Sequence, residues 1–247
     1  MSATAADTLT ISSVSAGYLP GIAVLEGIDF RVASGEAIGM IGRNGAGKSC
    51  LALTIAGLLD AHGGSVSLGG ADLTKDHARD RVRRGVSLVP EGREMFAQLS
   101  VRENLVAAAY GVGKSLTATM LSRVVEHFPV LGRKRDHVAA SLSGGEQQML
   151  AIARALVQEP KIIVFDEPSL GLAPVAIDSL AGVLADIRDS GVGLLLMEQN
   201  RGLLEDLCSS VMLLDGGGIK MTVEPHELGR PEVMAAYLGH AGTADAL

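Results

Sequence analysis

An eight-residue glycine-rich stretch, GRNGAGKS at residues 42–49, constrains the fold of this chain more than any other feature of its sequence. It fits the pattern G-x-x-x-x-G-K-[ST], follows the apolar run EAIGMIG and precedes the helix-forming run CLALTIAGLL. Glycines let backbone N–H groups wrap around phosphate oxygens, and the helix that follows points its positive end at the anion. A plain glycine-rich turn is the alternative, but the strand–loop–helix context favours a phosphate-binding loop.

The side chains of this stretch predict a site for ATP and magnesium. Lys48 is expected to reach the β- and γ-phosphates, and the Ser49 hydroxyl is expected to ligate Mg²⁺. The residues predicted to contact ATP here are Gly42, Arg43, Asn44, Gly45, Ala46, Gly47, Lys48, Ser49 and Cys50.

Two acids end the apolar run KIIVFDE, and both are candidate catalytic groups. A buried strand that ends in Asp at the phosphate edge of a sheet supplies a carboxylate beside Mg²⁺, so Asp166 is assigned to the metal. Glu167 can orient or deprotonate the attacking water. An Asp-Glu pair alone is more often an ordinary solvated strand end, but downstream of a phosphate-binding loop it is a strong indication of catalysis.

Composition and charge argue against several other classes of protein. The 247 residues carry a formal net charge of −7, whereas nucleic-acid binders need a basic face, so no nucleic-acid partner is expected. No apolar run approaches the roughly 20 residues of a membrane span, and the opening MSATAADTLT lacks the features of an export signal. The two cysteines, Cys50 and Cys208, show no metal-binding spacing. We expect a cytoplasmic protein whose membrane role depends on partners.

The order of apolar runs predicts an α/β fold in a single domain, residues 1–247. The opening runs, separated by Gly and Asp, predict an N-terminal antiparallel β subdomain. Unbroken apolar runs at GVSLVP, KIIVFDE, GVGLLLME and SVMLLDG are typical of strands buried on both faces of a sheet with flanking helices. The segment LLDGGGIKMTV predicts a hairpin that turns at Asp215 to Gly218.

Approximately residues 92–140 are predicted to form an inserted helical subdomain. Ser100 and Glu103 form a capping-box pattern that opens a helix toward Ala109. The segment TATMLSRVVEHFP predicts a second helix that ends at Pro129. Its apolar face comprises Met120, Leu121, Val124, Val125 and Phe128.

The stretch SLSGGEQQ at residues 141–148 predicts the start of a helix that runs to about Gln158. Ser143 and the two glycines after it form an anion site at a helix start, although a plain capped helix is the alternative. The stretch lies about a hundred residues after the phosphate-binding loop and just before KIIVFDE. This order of three motifs resembles the ATP-binding cassette (ABC) family over nearly the whole chain.

The ABC resemblance implies a P-loop nucleoside triphosphatase core with a mixed sheet, and a head-to-tail pair of cassettes. In that family the signature of one cassette closes on the γ-phosphate held by the other. The residues of this chain that would act in trans are Ser143, Gly144, Gly145 and Glu146.

The resemblance also assigns roles to residues outside the three motifs. Tyr18 resembles the aromatic residue that stacks on adenine, with an ordinary loop tyrosine as the alternative. VPEGREMF resembles the loop that contacts Mg²⁺, the water and the membrane partner, with Glu91 in place of the usual Gln; a carboxylate can still ligate a hard cation. Ala173 occupies the position of an inter-subunit aspartate, and Cys50 that of a usual threonine, which we interpret as a packing choice.

Gln199, at the end of GVGLLLMEQN, stands where the family has a histidine that holds the γ-phosphate. Glutamine can donate a hydrogen bond to phosphate but cannot carry a proton or a charge. If the histidine acted mainly in acid–base chemistry, this cassette should be crippled, whereas with Glu167 as the main base the loss is smaller. Gln199 is assigned to the catalytic site. The alternative is that Gln199 merely caps a strand.

Four segments, VPEGREMF, PSLGLAP, MEQN and AAYLG, together resemble the ATPase subunits of importers for branched-chain amino acids and related amides or urea. In that branch, Gln at the switch position occurs in working subunits. The resemblance implies an ATPase, peripheral on the inner face of the plasma membrane, that powers uptake of branched-chain or other hydrophobic amino acids. Its implied partners are a second cassette, identical or distinct, two membrane permeases and an external solute-binding protein.

Two other functions stay open at this point. The first is a non-transport ABC ATPase in repair, translation or cofactor assembly, although the chain lacks the tandem cassettes, coiled-coil insertions and basic faces of such proteins. The second is a cassette that binds ATP without hydrolysing it. Lys48, Asp166 and Glu167 argue against this silent cassette, whereas Ala173 and Gln199 leave it open.

Overall fold

A computed structural model describes residues 7–238 of the chain. The ends of the predicted 1–247 domain and Gly239 of the AAYLG segment fall outside the described residues. The strands are β1 (Leu9–Ala16), β2 (Leu25–Val32), β3 (Ala37–Ile41), β4 (Ala61–Leu68), β5 (Ala71–Asp72), β6 (Val86–Val89), β7 (Ile162–Asp166), β8 (Gly193–Met197), β9 (Ser210–Asp215) and β10 (Gly218–Val223).

The strands form two sheets, as the sequence predicts. The smaller sheet is antiparallel, with the order β2-β1-β4-β5. The larger sheet is mixed, with the order β10-β9-β3-β8-β7-β6; β10 pairs antiparallel with β9, and the other pairs are parallel. The hairpin between β9 and β10 turns at Gly216 and Gly217, both at positive φ, which confirms the predicted turn.

Strands β7 and β8 are buried along their whole length, which confirms the prediction for the apolar runs KIIVFDE and GVGLLLME. Strand β3 is buried along its whole length as well. Alternate residues of β7 enter two separate cores. Ile163 and Phe165 pack with the helices on one face of the sheet, whereas Ile162 and Val164 pack toward the antiparallel sheet. The strand is therefore fixed from both sides, and its carboxyl end has a defined position.

The helices are α1 (Lys48–Ala56), α2 (Ala78–Arg84), α3 (Val101–Gly111), α4 (Ala118–His127), α5 (Pro129–Arg133), α6 (Gly144–Leu156), α7 (Pro174–Asp189), α8 (Arg201–Leu207) and α9 (Pro231–Leu238). Helix α1 follows the phosphate-binding loop and packs between the two sheets, with Leu51 and Ile55 fully buried. Helices α6, α7 and α8 contribute to the core on the opposite face of the larger sheet.

Helices α3, α4 and α5 lie within the segment for which an inserted subdomain is predicted; its boundaries at residues 92 and 140 stay a prediction. Ser100 and Glu103 form the predicted capping box at the start of α3. Helix α4 ends at His127 before Pro129, as predicted, but Pro129 also begins α5, because proline fits the first position of a helix. Val124 and Phe128 are buried, whereas Val125 of the predicted apolar face is exposed.

Arg81 of α2 lies inside the fold, with a side chain only 1% exposed. Its guanidinium donates to four backbone oxygens, two of which, those of Thr54 and Ile55, belong to the last turn of α1. Burial lowers the pKa of Arg81. Gly57, which ends α1, leaves room for this contact, since a Cβ there would come within 2.8 Å of the Arg81 Nε atom. A buried cation thus fixes the far end of the helix that begins at the phosphate-binding loop.

Arg81→Met is expected to destabilise the fold by about 2–4 kcal/mol, because it leaves buried carbonyl groups without donors. For a chain of this size the melting temperature should fall by roughly 5–10 °C. The matched control is Arg79→Met on the exposed face of the same helix. Equal melting temperatures for the two variants, measured by calorimetry, would contradict the role of Arg81.

Candidate functional site

The phosphate-binding loop connects β3 to α1 and has the backbone that its glycines predict. Gly45 and Gly47 adopt φ angles of 83° and 111°. A Cβ on Gly47 would come within 2.6 Å of the Leu25 Cδ2 atom, so glycine is required there for space as well as for conformation. Gly47 caps α1 without a side-chain hydrogen bond. The first N–H groups of this helix can therefore face an anion.

A cleft of about 350 Å³ opens over this loop and brings most of the predicted site residues together. Its lining includes Val24 and Leu170, which the sequence reasoning missed because apolar residues in loops carry no distinctive pattern. The other lining residues are Tyr18, Arg43, Asn44, Gly45, Gly47, Lys48, Ser49, Cys50, Glu91, Glu167 and Gln199.

Three predicted residues are not part of the cleft lining but contact residues of the loop. The Gly42 carbonyl accepts a hydrogen bond from the Lys48 Nζ atom at 2.7 Å. The Ala46 N–H donates to the Arg43 carbonyl at 3.1 Å. Asp166, which is 5% exposed, lies close enough to Ser49 for the serine hydroxyl to lower the pKa of its carboxyl group.

Lys48 and Glu167 form a buried ion pair at the centre of the cleft. The Nζ atom of Lys48 lies 3.1 Å from the Glu167 Oε1 atom, and the two side chains are 6% and 8% exposed. A buried cation requires a counter-charge, and the Glu167 carboxylate provides it together with the Gly42 carbonyl. Lys48 thus lies beside both the phosphate-binding loop and the candidate base.

Glu167 follows β7 in a left-handed backbone conformation, with φ at 51°. Such a conformation is unfavourable for a side chain other than glycine and is maintained here by a hydrogen bond from the Glu167 N–H to the Met197 carbonyl at 2.8 Å. It directs the carboxylate toward Gln199, whose Nε2 atom lies 2.9 Å from both the Glu167 Oε1 atom and the Asn44 Oδ1 atom. Gln199 therefore connects the candidate base to the phosphate-binding loop.

Asp166, the predicted metal ligand, has a buried carboxylate at the end of β7. Burial raises the pKa of Asp166; the nearby Ser49 hydroxyl opposes this, while the charges of Glu91 and Glu167 add to it. The Asp166 Oδ1 atom is buried and has no hydrogen-bond partner. An unpartnered carboxylate oxygen beside a serine hydroxyl fits an oxygen-preferring ion such as Mg²⁺.

Tyr18 lies at the mouth of the cleft and is 57% exposed, so its ring is accessible to a ligand. Desolvation by partial burial raises the pKa of its hydroxyl. Cys50 is buried, and burial raises the pKa of its thiol as well. Burial of Cys50 agrees with the interpretation of this residue as a packing choice.

The loop that contains Glu91 reaches from the cleft to helix α6. Gly92, Arg93 and Glu94 adopt positive φ angles, which turn the chain sharply away from β6. The Arg93 Nη1 atom donates to the Gln147 Oε1 atom at 3.0 Å, and Arg154 donates to the Glu94 carbonyl at 2.6 Å. This loop therefore links the cleft to the helix that begins at the signature.

The signature residues form a capping box and lie away from the cleft of their own chain. The Ser143 Oγ atom accepts from the Glu146 N–H, and the Glu146 carboxylate accepts from the Ser143 N–H at 2.9 Å. Lys134 contacts the same carboxylate at 2.6 Å and, with Ser143, holds the pKa of Glu146 below its usual value. None of Ser143, Gly144, Gly145 and Glu146 lines the described cleft, and their role in trans stays a prediction.

Ala173 caps helix α7 without a side-chain hydrogen bond. An aspartate at this position would supply both a cap and a charge, and alanine supplies neither.

A glycine-rich loop between the parallel strand β3 and a helix, with two carboxylates at the end of β7 on the far side of β8, defines a P-loop nucleoside triphosphatase. The sequence profile of the ABC transporter family matches residues 25–170. The chain belongs to the ABC transporter family, and ATP hydrolysis is its characteristic activity. Across residues 7–238 no helix combines the length and apolar character needed to cross a bilayer.

Three known proteins illustrate the similarity. BraG of Pseudomonas aeruginosa, a high-affinity branched-chain amino acid transport ATP-binding protein, is 38% identical over 90% of this chain and 96% of its own. LptB of Escherichia coli, a lipopolysaccharide export system ATP-binding protein, is 31% identical over 94% of this chain and 97% of its own. The ADP conformation of MJ1267, an ATP-binding cassette of an ABC transporter, matches with a TM-score of 0.84 at 25% identity, covering 94% and 99% of the two chains.

Proposed function

We propose that this chain is the ATP-hydrolysing subunit of an importer for branched-chain or other hydrophobic amino acids. One observation carries the catalytic part of the proposal: Glu167 lies at the end of β7, against both Lys48 and Gln199, beside the phosphate-binding loop. The similarity to BraG at 38% identity over 90% of the chain supports the choice of solute class.

In the proposed reaction, the phosphates of ATP replace the Glu167 carboxylate as the partner of Lys48. The loop N–H groups and the start of α1 receive the phosphate oxygens, and Tyr18 stacks on the adenine ring. Release from Lys48 frees Glu167 to accept a proton from the attacking water. Gln199, which already contacts Glu167 through its Nε2 atom, donates a neutral hydrogen bond to the γ-phosphate.

The residues that would hold Mg²⁺ are Ser49, Asp166 and Glu91. Among residues 7–238 no group of three or more His, Cys, Asp or Glu side chains forms a metal cage, so this set depends on the serine hydroxyl and on phosphate oxygens. When bound, the ion neutralises negative charge on the transferring phosphoryl group. The unpartnered Oδ1 atom of Asp166 supports this assignment.

The proposed assembly is a head-to-tail pair of cassettes on the inner face of the membrane, with two permeases and an external solute-binding protein. The second cassette is another copy of this chain or a related one. Ser143 to Glu146 would close on the ATP of the opposite cassette. The Glu91 loop, which joins the cleft to α6 through Arg93, would pass the closure to the membrane partners.

A second candidate is the ATPase of a lipid exporter, because LptB is 31% identical over 94% of this chain.

Membrane proteins captured in MgATP by tagged Glu167→Gln protein in its own host would separate the two candidates. We expect the captured proteins to include two amino-acid permeases, with or without a second cassette. Components of lipid export, ribosomes or DNA-repair proteins instead would contradict the importer. Lys48→Met, expected to bind ATP poorly, serves as the control.

A further inference from the structure

Glu198 is a buried acid, 1% exposed, that follows strand β8 and has no role in the function described above. Its Oε1 atom accepts hydrogen bonds from the N–H groups of Gln199 at 2.7 Å and Asn200 at 2.9 Å. Its Oε2 atom accepts from the N–H of Ser169 at 3.0 Å. The two oxygens of one carboxylate therefore bind two chain segments that are far apart in sequence.

Both of these segments border the candidate base. Ser169 follows Glu167 by two residues, and Leu170, the next residue, lines the cleft. On the other segment, Gln199 lines the cleft and donates to the Glu167 Oε1 atom. The distance between the Glu167 carboxylate and the Gln199 amide thus depends on how the two segments are held together.

Glu198 bonds only to backbone groups in these contacts, so its action does not depend on the side chains of the partners. The segment of Glu167 starts from a left-handed residue, which costs free energy unless the surrounding contacts fix it. The bond from the Ser169 N–H to Glu198 is one such contact, placed directly after the strained residue. The carboxylate is buried and therefore makes these charge-assisted bonds away from competing water.

We propose that Glu198 is a positioning residue for ATP hydrolysis, which holds the Glu167 segment and the Gln199 segment in one fixed arrangement. This inference rests on hydrolysis by the cassette and not on the identity of the solute. Without Glu198, the base and the amide donor would still be present and ATP would still bind at the loop. The geometry of water attack would be lost.

Glu198→Gln tests this proposal, because an amide has only one acceptor oxygen. If that oxygen takes the Oε1 position, the NH₂ group faces the Ser169 N–H, and two donors oppose each other. In the flipped orientation the NH₂ group opposes the N–H groups of Gln199 and Asn200 instead. Either orientation separates the two segments with almost no change in side-chain volume.

The expected result is a fall in kcat of roughly tenfold or more with a nearly unchanged KM for ATP, since small displacements of reacting groups have large effects on rate. The rate is normalised to moles of bound ATP, so that unfolded protein does not contribute. Amide hydrogen exchange in residues 167–173 should become faster than in the wild type. Glu36→Gln is the matched control, because Glu36 also accepts from a backbone N–H and a hydroxyl but lies far from the cleft.

An unchanged kcat per bound ATP in Glu198→Gln would overturn the proposal, as would a loss of ATP binding that accounts for the whole loss of rate. Glu198→Asp is the second variant in case Glu198→Gln does not fold. It keeps the buried charge, but its shorter side chain cannot reach both segments, and the same fall in kcat is expected. An inactive wild-type chain would count against the ATPase itself, and the exchange rates would still decide whether Glu198 connects the segments.

Discussion

Glu167→Gln is expected to reduce ATP hydrolysis by about 10²- to 10⁴-fold while MgATP binding is retained. The amide keeps the size of the side chain and can still contact Lys48 through its oxygen, but it cannot accept a proton from water. Removal of the negative charge also frees the Lys48 ammonium for phosphate. The affinity for ATP should therefore be equal to that of the wild type or higher.

Phosphate release under saturating MgATP measures this effect, with equilibrium binding of a fluorescent ATP analogue measured in parallel. Glu205→Gln is the control, since this acid lies on α8 in an exposed pair with Arg201. A Glu167→Gln protein that hydrolyses ATP at the wild-type rate would show that another group is the base. A variant that also loses nucleotide binding would show that Glu167 mainly supports the fold of the cleft.

Lys48→Met is expected to weaken ATP binding by roughly 10²- to 10³-fold, because it removes charge-assisted hydrogen bonds to the phosphates. The methionine fills the space of the lysine stem, but the Glu167 carboxylate, 8% exposed, is left without its cation. That unpaired charge repels the phosphates and adds to the loss. Titration calorimetry with ATP measures the change.

Two further variants isolate the cause of this loss. Lys161→Met is the matched control, since the Lys161 Nζ atom pairs with Asp7 at 2.6 Å away from the cleft. The double variant Lys48→Met/Glu167→Gln removes the unpaired charge and should recover part of the affinity. An affinity of Lys48→Met equal to that of the wild type would mean that Lys48 does not contact phosphate.

Much of this fold follows from patterns that the sequence shows directly. The phosphate-binding loop is predictable because glycine, lysine and serine at fixed spacing satisfy one geometry. Strands β7 and β8 are predictable because only buried parallel strands tolerate unbroken apolar runs. Pro129 predicts the end of α4, because proline interrupts a helix. It does not by itself predict the start of α5, although proline also fits the first turn of a helix.

The sequence does not predict the directions in which several important side chains point. Glu198 directly follows an apolar strand, and nothing in its neighbours shows whether its carboxylate faces solvent or the Ser169 segment. Arg81 is one of several basic residues in α2, and such a group predicts an exposed helix face. Its guanidinium is nevertheless buried against α1. The ion pair of Lys48 and Glu167 joins residues more than a hundred positions apart, and only the packed sheet brings them together.

The contact between Arg93 and Gln147 has a consequence for how two cassettes would work as a pair. The loop of Arg93 starts at the ATP cleft of its own chain, whereas α6 begins at residues proposed to serve the opposite cleft. ATP binding in one cleft would therefore change the affinity of the other cleft for ATP, through contacts that lie within one polypeptide. Such a pair should respond to ATP sigmoidally, with a Hill coefficient above one that falls toward one in Arg93→Ala.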